Sequence, residues 1–374
     1  MTAPTVEEFA ARARAWLAEN KATAPPDWGP IMPPERREQG MEWQRRIHDA
    51  GFAGIHWPVE YGGQGLTPAH AAAWTLACAE QQVPSVLNMV GLVLAAGSLL
   101  LYGTEEQKLE HLPRTARGDV VWCQLFSEPG AGSDLASLST RAERDGDVYV
   151  VNGQKVWCSG GRASDWGILM ARTDPHAPKH KGISFFVVDM ASEGIECRPL
   201  RQMTGGAEFD EVFLTDVRIP ATNLLGPENE GWRVGMTTLT NERGHIGSGT
   251  LALERRVEGL LKEAREAGPM HPVHRDRLIR CVMQAKVLLA MGQRQGPQAS
   301  IASSLLKLAI SELTIAIADA RAGRAGMAAT LADHPAAANL VASPGAKLGG
   351  GTSEVQRNII GEMILGLPKE PKPG

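Results

Sequence analysis

The stretch Phe126–Gly161, FSEPGAGSDLASLSTRAERDGDVYVVNGQKVWCSGG, decides how this chain is read. It opens with a hydroxyl and a loop of small residues, SEPGAGSD, and closes with GQKVWCS. A loop of that kind exposes backbone N–H groups and lets a bulky anionic ligand come close. Trp157 and Ser159 stand two apart, which places both on one face of a strand. An aromatic plane beside a hydroxyl suits a flat heterocycle. A tight turn and a core tryptophan would give the same letters, and neither the Rossmann nor the P-loop spacing is present. Between the two motifs, RDGDVYVVNG reads as a turn and a strand, with Asn152-Gly153 as a hairpin signal.

The texture on either side is different. Residues 1–120 read as helices. VEEFAARARAWL spaces its apolar residues at three and four, and EWQRRIHDAGF stops at Ala50-Gly51. LNMVGLVLAAGSLLLYG is apolar on nearly every face, so it is expected to be a buried helix. Residues 121–225 are short runs rich in Val, Ile, Phe and Thr, separated by Gly, Asp and Pro, and predict an antiparallel sheet domain. Residues 226–374 return to helix: GWRVGMTTLTNERGHIGSGTLALERRVEGLLKEAREAG reads as one long segment ending at Gly268-Pro269, followed by two further long helices. The tail KEPKPG is expected to be disordered. The predicted plan is α+β in three domains: helices, then sheet, then a helical bundle.

Bulk properties exclude several classes. The net charge over 374 residues is −4, which favours neither nucleic acid nor an anionic membrane. The five cysteines are scattered singly, which fits a reducing cytosol and offers no metal cluster. The N-terminus is acidic and amphipathic and does not resemble a signal peptide. No apolar run reaches the ~18 residues that a membrane span needs. A cytoplasmic protein is expected.

The tail motif, KLGGGTSEVQRNIIGEMILGLP (Lys347–Pro368), places three glycines ahead of a helix-like run, with no reactive side chain among them. SEPGAGSD, NGQKVWCS and GGTSEVQRNIIGE in this order, together with the helix–sheet–helix plan, resemble the acyl-CoA dehydrogenase family from about residue 5 to 368. The resemblance implies FAD between the sheet domain and the C-terminal helices, with an acyl-CoA against it. Carried over by position, Gln124, Phe126, Ser127, Trp157 and Ser159 line the flavin, Thr352 and Glu354 approach it from the C-terminal side, and Ser133 faces the pantetheine or phosphates of the CoA. The family reaction takes an α-proton to a carboxylate and a β-hydride to flavin N5. It yields a trans-2-enoyl-CoA and passes electrons to an electron-transfer flavoprotein.

In the commonest family pattern the catalytic Glu directly precedes Gly-Thr-Ser. Here that position is Gly350. A smaller set of members carries the base on the long helix after the sheet domain, before an Arg, and Glu242-Arg243 in TLTNERGHIG matches. The resemblance therefore implies Glu242 as base, with Arg243 beside the substrate and the Gly350 N–H donating to the thioester carbonyl. Taken alone, Glu242 reads as a solvated helix residue paired with Arg243 or with a residue one turn away. The space at Gly350 hints at a branched or bulky acyl group.

Two family features are missing. The Arg-x-x-Phe through which a neighbouring subunit grips the FAD pyrophosphate is replaced by AGPMHPVHRDRL, where Arg275 or Arg277 is the available substitute. The Gln with a Gly-Gly turn is replaced within GRAGMAATLADHPAAANLVASPG. A homo-oligomer remains the default, and a hetero-oligomer with a paralogous subunit is the alternative, this chain then being a structural or half-site member. A flavin monooxygenase or oxidase on the same fold is a third reading, which Glu242 disfavours.

Overall fold

The structure is a computed structural model. It describes residues 3–26, 28, 31–247, 250–266, 268–292 and 299–369, with the side chains of 241–256 and 299–302 outside the description. The chain divides into two compact units, Met1–Gln202 with Gly206–Asn241, and Met203–Gly205 with Glu242–Gly374.

The first unit begins with helices α1 (Val6–Asn20), α2 (Arg37–Asp49) and α3 (Pro68–Gln81). Thr5 and Glu8 close a reciprocal capping box at the start of α1, over 3.2 and 2.8 Å. Gly51, at φ +76°, ends α2 as its sequence predicts. Phe9, Leu17, Trp43, Phe52 and Trp74 form the core of these helices. The apolar run that follows is not a uniform helix. It winds as a π-helix over Val90–Ala95 before α4 (Ala96–Tyr102) and α5 (Glu105–Arg117).

Seven strands follow: β1 (Trp122–Leu125), β2 (Arg141–Asp145), β3 (Val148–Ser159), β4 (Trp166–Arg172), β5 (Ile183–Asp189), β6 (Ile195–Leu200) and β7 (Phe209–Pro220). They form one sheet ordered β1-β4-β2-β3-β7-β6, with β5 on β4. The long pairings are antiparallel apart from β1, which runs parallel to β4. The residues separating those two strands in sequence leave enough chain for the crossover that a parallel pair requires.

The hairpin signal at Asn152-Gly153 proves to be misplaced. The β2–β3 turn is Gly146-Asp147, with Gly146 at φ +65°, and β3 runs unbroken through Asn152 and Gly153. Its register against β7 shifts there. The Asn152 amide bonds Asp216 at both ends: Nδ2 donates to the carboxylate and Oδ1 accepts the backbone N–H, each at 2.9 Å. At Gly153 a side chain would strike Thr140, whose Oγ1 lies 2.4 Å from where a Cβ would stand. Glycine here serves close approach, not a turn.

The segment read as one long helix is helical on both sides of residues 248 and 249, which lie outside the described residues: α6 (Gly231–Gly247), which carries the chain from the first unit into the second, and α7 (Thr250–Glu266). The second unit continues with α8 (Pro272–Gly292), α9 (Ala299–Ala325), α10 (Pro335–Ala342) and α11 (Ser353–Ile359). Its core includes Leu260 of α7, Ala285 and Leu288 of α8, and Leu306, Leu313 and Ile317 of α9. Residues 370–374 of the expected disordered tail lie outside the described residues.

Candidate active site

Two regions hold the residues singled out in the sequence, one in each unit. In the first, β1 delivers Gln124 half-buried and Phe126 buried, the Phe126 ring edge-on to Phe185 with centroids 5.5 Å apart. Ser127 follows half-buried, and its carbonyl accepts the Val156 N–H at 2.9 Å. A tight turn returns the chain through paired backbone bonds between Glu128 and Ala131, both 3.0 Å. At Gly130 and Gly132 an added Cβ would meet nothing within 4 Å. Ser133 in the same loop is exposed.

Strand β3 then changes register. Lys155 faces Val212 while Cys158 faces Asp210, so one extra residue sits in β3 between them. Strict alternation from Tyr149, Val151 and Lys155 would bury Trp157. The bulge instead turns it outward, 55% exposed, at φ +60°. Its ring meets only the edge of Phe209, centroids 5.7 Å apart. Buried Cys158 separates Trp157 from Ser159, which lines a cleft within this unit alongside Met89, Val90, Trp122, Gly160 and Ser164. Among the described residues, no side-chain hydrogen bond engages Gln124, Ser127 or Ser159.

One pair in this region was invisible as a site. Lys155 and Glu128 are an ion pair at 2.8 Å with side chains 0% and 5% exposed. Glu128 also accepts the N–H groups of Ser139 and Thr140 and the Ser139 hydroxyl, at 2.7–2.9 Å. Burial alone would raise the Glu128 pKa, but the Lys155 ammonium and these donors outweigh it and hold the carboxyl down to about 2. The signal was present in the sequence: Lys155 shares strand parity with Tyr149 and Val151, so it had to point inward, and a buried lysine needs a partner.

In the second unit, the glycine loop folds back on the start of α11. Gly350 has φ +69° and Gly351 has φ +91°. The Gly350 carbonyl accepts Gln356 Nε2 at 3.0 Å, and the Gly351 carbonyl accepts Lys307 Nζ at 2.5 Å. Among the described residues the Gly350 N–H meets no acceptor. Thr352 caps α11 by accepting the Val355 N–H at 3.2 Å, which leaves its own hydroxyl proton free to donate. Glu354 is exposed and pairs with Arg357 at 3.3 Å. Among the described residues, buried Ser353 Oγ and Gln356 Oε1 meet no hydrogen-bond partner. The expectations for Glu242 and Arg243 concern side chains outside the described residues; only their place on α6 is given. Of the substitutes considered for the missing pyrophosphate grip, Arg277 lies against Gly323 of α9.

Among the described residues no cluster of His, Cys, Asp and Glu could hold a metal. None of the described helices is long and apolar enough to cross a membrane.

A fold of helices, sheet and helices whose conspicuous motifs are SEPGAGSD, KVWCS and GGTSE defines a flavoprotein-type dehydrogenase, and comparison with known proteins agrees. The models for the acyl-CoA dehydrogenase N-terminal, middle and C-terminal domains match residues 3–119, 123–217 and 229–365. The chain belongs to the acyl-CoA dehydrogenase family and is an oxidoreductase of that kind. It is 38% identical to the acyl-CoA dehydrogenase IpdE1 of Mycobacterium tuberculosis, over 98% of this chain and 99% of that one. Among solved structures it resembles the ChsE4–ChsE5 complex from Mycobacterium tuberculosis, with 32% identity, TM-score 0.80 and 99% of each chain covered. It also resembles the Tcur3481–Tcur3483 steroid ACAD, with 28% identity, TM-score 0.81 and the same coverage. Lipid-directed dehydrogenases, some of them assemblies of two different chains, are thus among its relatives.

Proposed function

We propose that this protein removes an α- and a β-hydrogen from an acyl-CoA thioester, giving the trans-2-enoyl-CoA, with FAD as cofactor and Glu242 as base. The observation that carries the assignment of the base is Gly350. At the position where most of the family carries its carboxylate there is no side chain, and the backbone is left-handed at φ +69°. Proton abstraction then falls to Glu242 on α6, where an apolar setting would raise a carboxylate pKa toward the working range of a general base. The Gly350 N–H, which meets no acceptor among the described residues, is assigned to the thioester carbonyl, where negative charge gathers as the α-proton leaves.

The residues present fit a flavin. Trp157 is 55% exposed, and Gln124, Ser127 and Ser159 offer polar side chains with no hydrogen-bond partner among the described residues. Phe126 backs them, and the family resemblance assigns Thr352 and Glu354 to the cofactor as well. When bound, FAD would supply the hydride acceptor. Ser133 and Arg243 are assigned to the CoA and its thioester. An electron-transfer flavoprotein is the proposed acceptor, and the five free cysteines support a reducing, cytoplasmic setting.

The likeness to a steroid ACAD, and the room a glycine leaves at 350, favour a bulky polycyclic acyl group over a straight chain. Anaerobic titration with a panel of acyl-CoAs tests the whole reading, because bleaching of the flavin absorbance reports binding and chemistry together. Protein that holds FAD but is bleached by no acyl-CoA would overturn it.

A second reading, a site shared with a paralogous chain, is favoured by the segment AGPMHPVHRDRL and by relatives solved as two-protein complexes. Comparing the yellow colour of protein made alone with protein co-expressed with a paralogue decides between a complete and a shared site.

A further inference from the structure

The buried pair Lys155–Glu128 joins two motifs that the sequence presents separately. Lys155 Nζ uses all three of its protons: one to Glu128 at 2.8 Å, one to the Phe126 carbonyl at 3.0 Å and one to the Met170 carbonyl at 2.8 Å. It thereby ties the exit of β1 and the middle of β4 to β3. The next residue, Val156, donates its N–H to the Ser127 carbonyl, and the one after that is Trp157 at φ +60°. A left-handed conformation at a tryptophan persists only where its surroundings over-determine it. Net stability is a poor reason for such a pair, since well-packed apolar residues commonly replace a buried ion pair at little cost. An orienting role explains it better.

We propose that Lys155 and Glu128 are positioning residues for the cofactor face. They clamp the Phe126–Ser127 backbone to the Val156–Trp157 bulge, and so fix where the indole and the Ser127 edge meet the flavin ring. This rests on the flavin reading given above.

The test uses the full-length chain labelled with 5-fluorotryptophan, the Trp157 resonance being identified by its loss in Trp157→Phe. Lys155→Met and Glu128→Gln are compared with wild type by fluorine NMR and by FAD titration. Lys155→Met should move the Trp157 resonance and weaken FAD binding by about tenfold or more, the equivalent of one good hydrogen bond lost. Glu128→Gln leaves Lys155 its two carbonyl acceptors and should move both readouts less. A folded Lys155→Met protein with the wild-type resonance and FAD affinity, changed only in melting temperature, would overturn the proposal. If Lys155→Met does not fold, Glu128→Gln decides on the same readouts, and an unmoved Trp157 resonance overturns the proposal there too. Should wild type take up no FAD, the flavin reading falls, and the Trp157 resonance still decides whether the pair holds the bulge.

Discussion

At the scale of single residues, the proposed chemistry turns on Glu242 and Gly350. Glu242→Gln keeps the shape of the side chain and removes the base. Acyl-CoA should still bind, while flavin reduction falls by about 10²–10⁴ or more, the range for loss of a general base. Anaerobic stopped-flow measurement of flavin bleaching checks this, and a wild-type rate would send the search for the base elsewhere. Adding Gly350→Glu to that variant moves the carboxylate to the position used by most of the family. The left-handed backbone at 350 costs an L-residue roughly 1–2 kcal/mol, so the loop should accept the change with strain. Part of the lost rate should return, with a narrower acyl range, because the new side chain fills the space the glycine left open.

At the scale of the element, the proposed cofactor face rests on the bulged strand β3. Trp157→Ala removes a large apolar surface and should weaken FAD by about tenfold, read by titration of flavin fluorescence. The Glu128 carboxyl, held at about 2 against an ordinary value of 4.5, links the same strand to pH. A depressed folded pKa adds stability that is complete above the ordinary value and is lost as pH falls from 4.5 through 2. Melting temperature against pH should therefore drop steeply in this window for wild type and more gently for Glu128→Gln. The strand also shows what a sequence can convey. Parity along Tyr149, Val151 and Lys155 was legible, and so were the turn at Gly146 and the change from helix to sheet texture. The outward turn of Trp157 was not, because a bulge depends on register with β7, which is set by distant residues. Asn152-Gly153 misled for the same reason: its glycine answers to Thr140, the residue just before the neighbouring strand β2.

At the scale of the whole molecule, the apolar helices divide their surfaces unexpectedly. The apolar side chains Leu306, Leu313 and Ile317 of α9 lie in the core of their own unit. The exposed apolar stripe is on α8, where Ile279, Met283 and Val287 stand four residues apart and 45–62% exposed. Such a stripe is expected to be covered in the assembled enzyme. Light scattering at micromolar protein, alone or with a paralogous chain, should give more than the mass of one chain, and Met283→Glu should lower it. A one-chain mass for the wild type under both conditions would remove the case for assembly. The same molecule also carries a clock. An asparagine followed by glycine is a soft point in any chain, prone to lose its amide with time and heat. In this protein Asn152 is tied at both ends of that amide to Asp216 and lies within a continuous strand. Ageing at this position should therefore proceed only while β3 is open. The fraction of deamidated Asn152 in stored enzyme, read by peptide mass spectrometry, would record how much of its lifetime each molecule had spent unfolded.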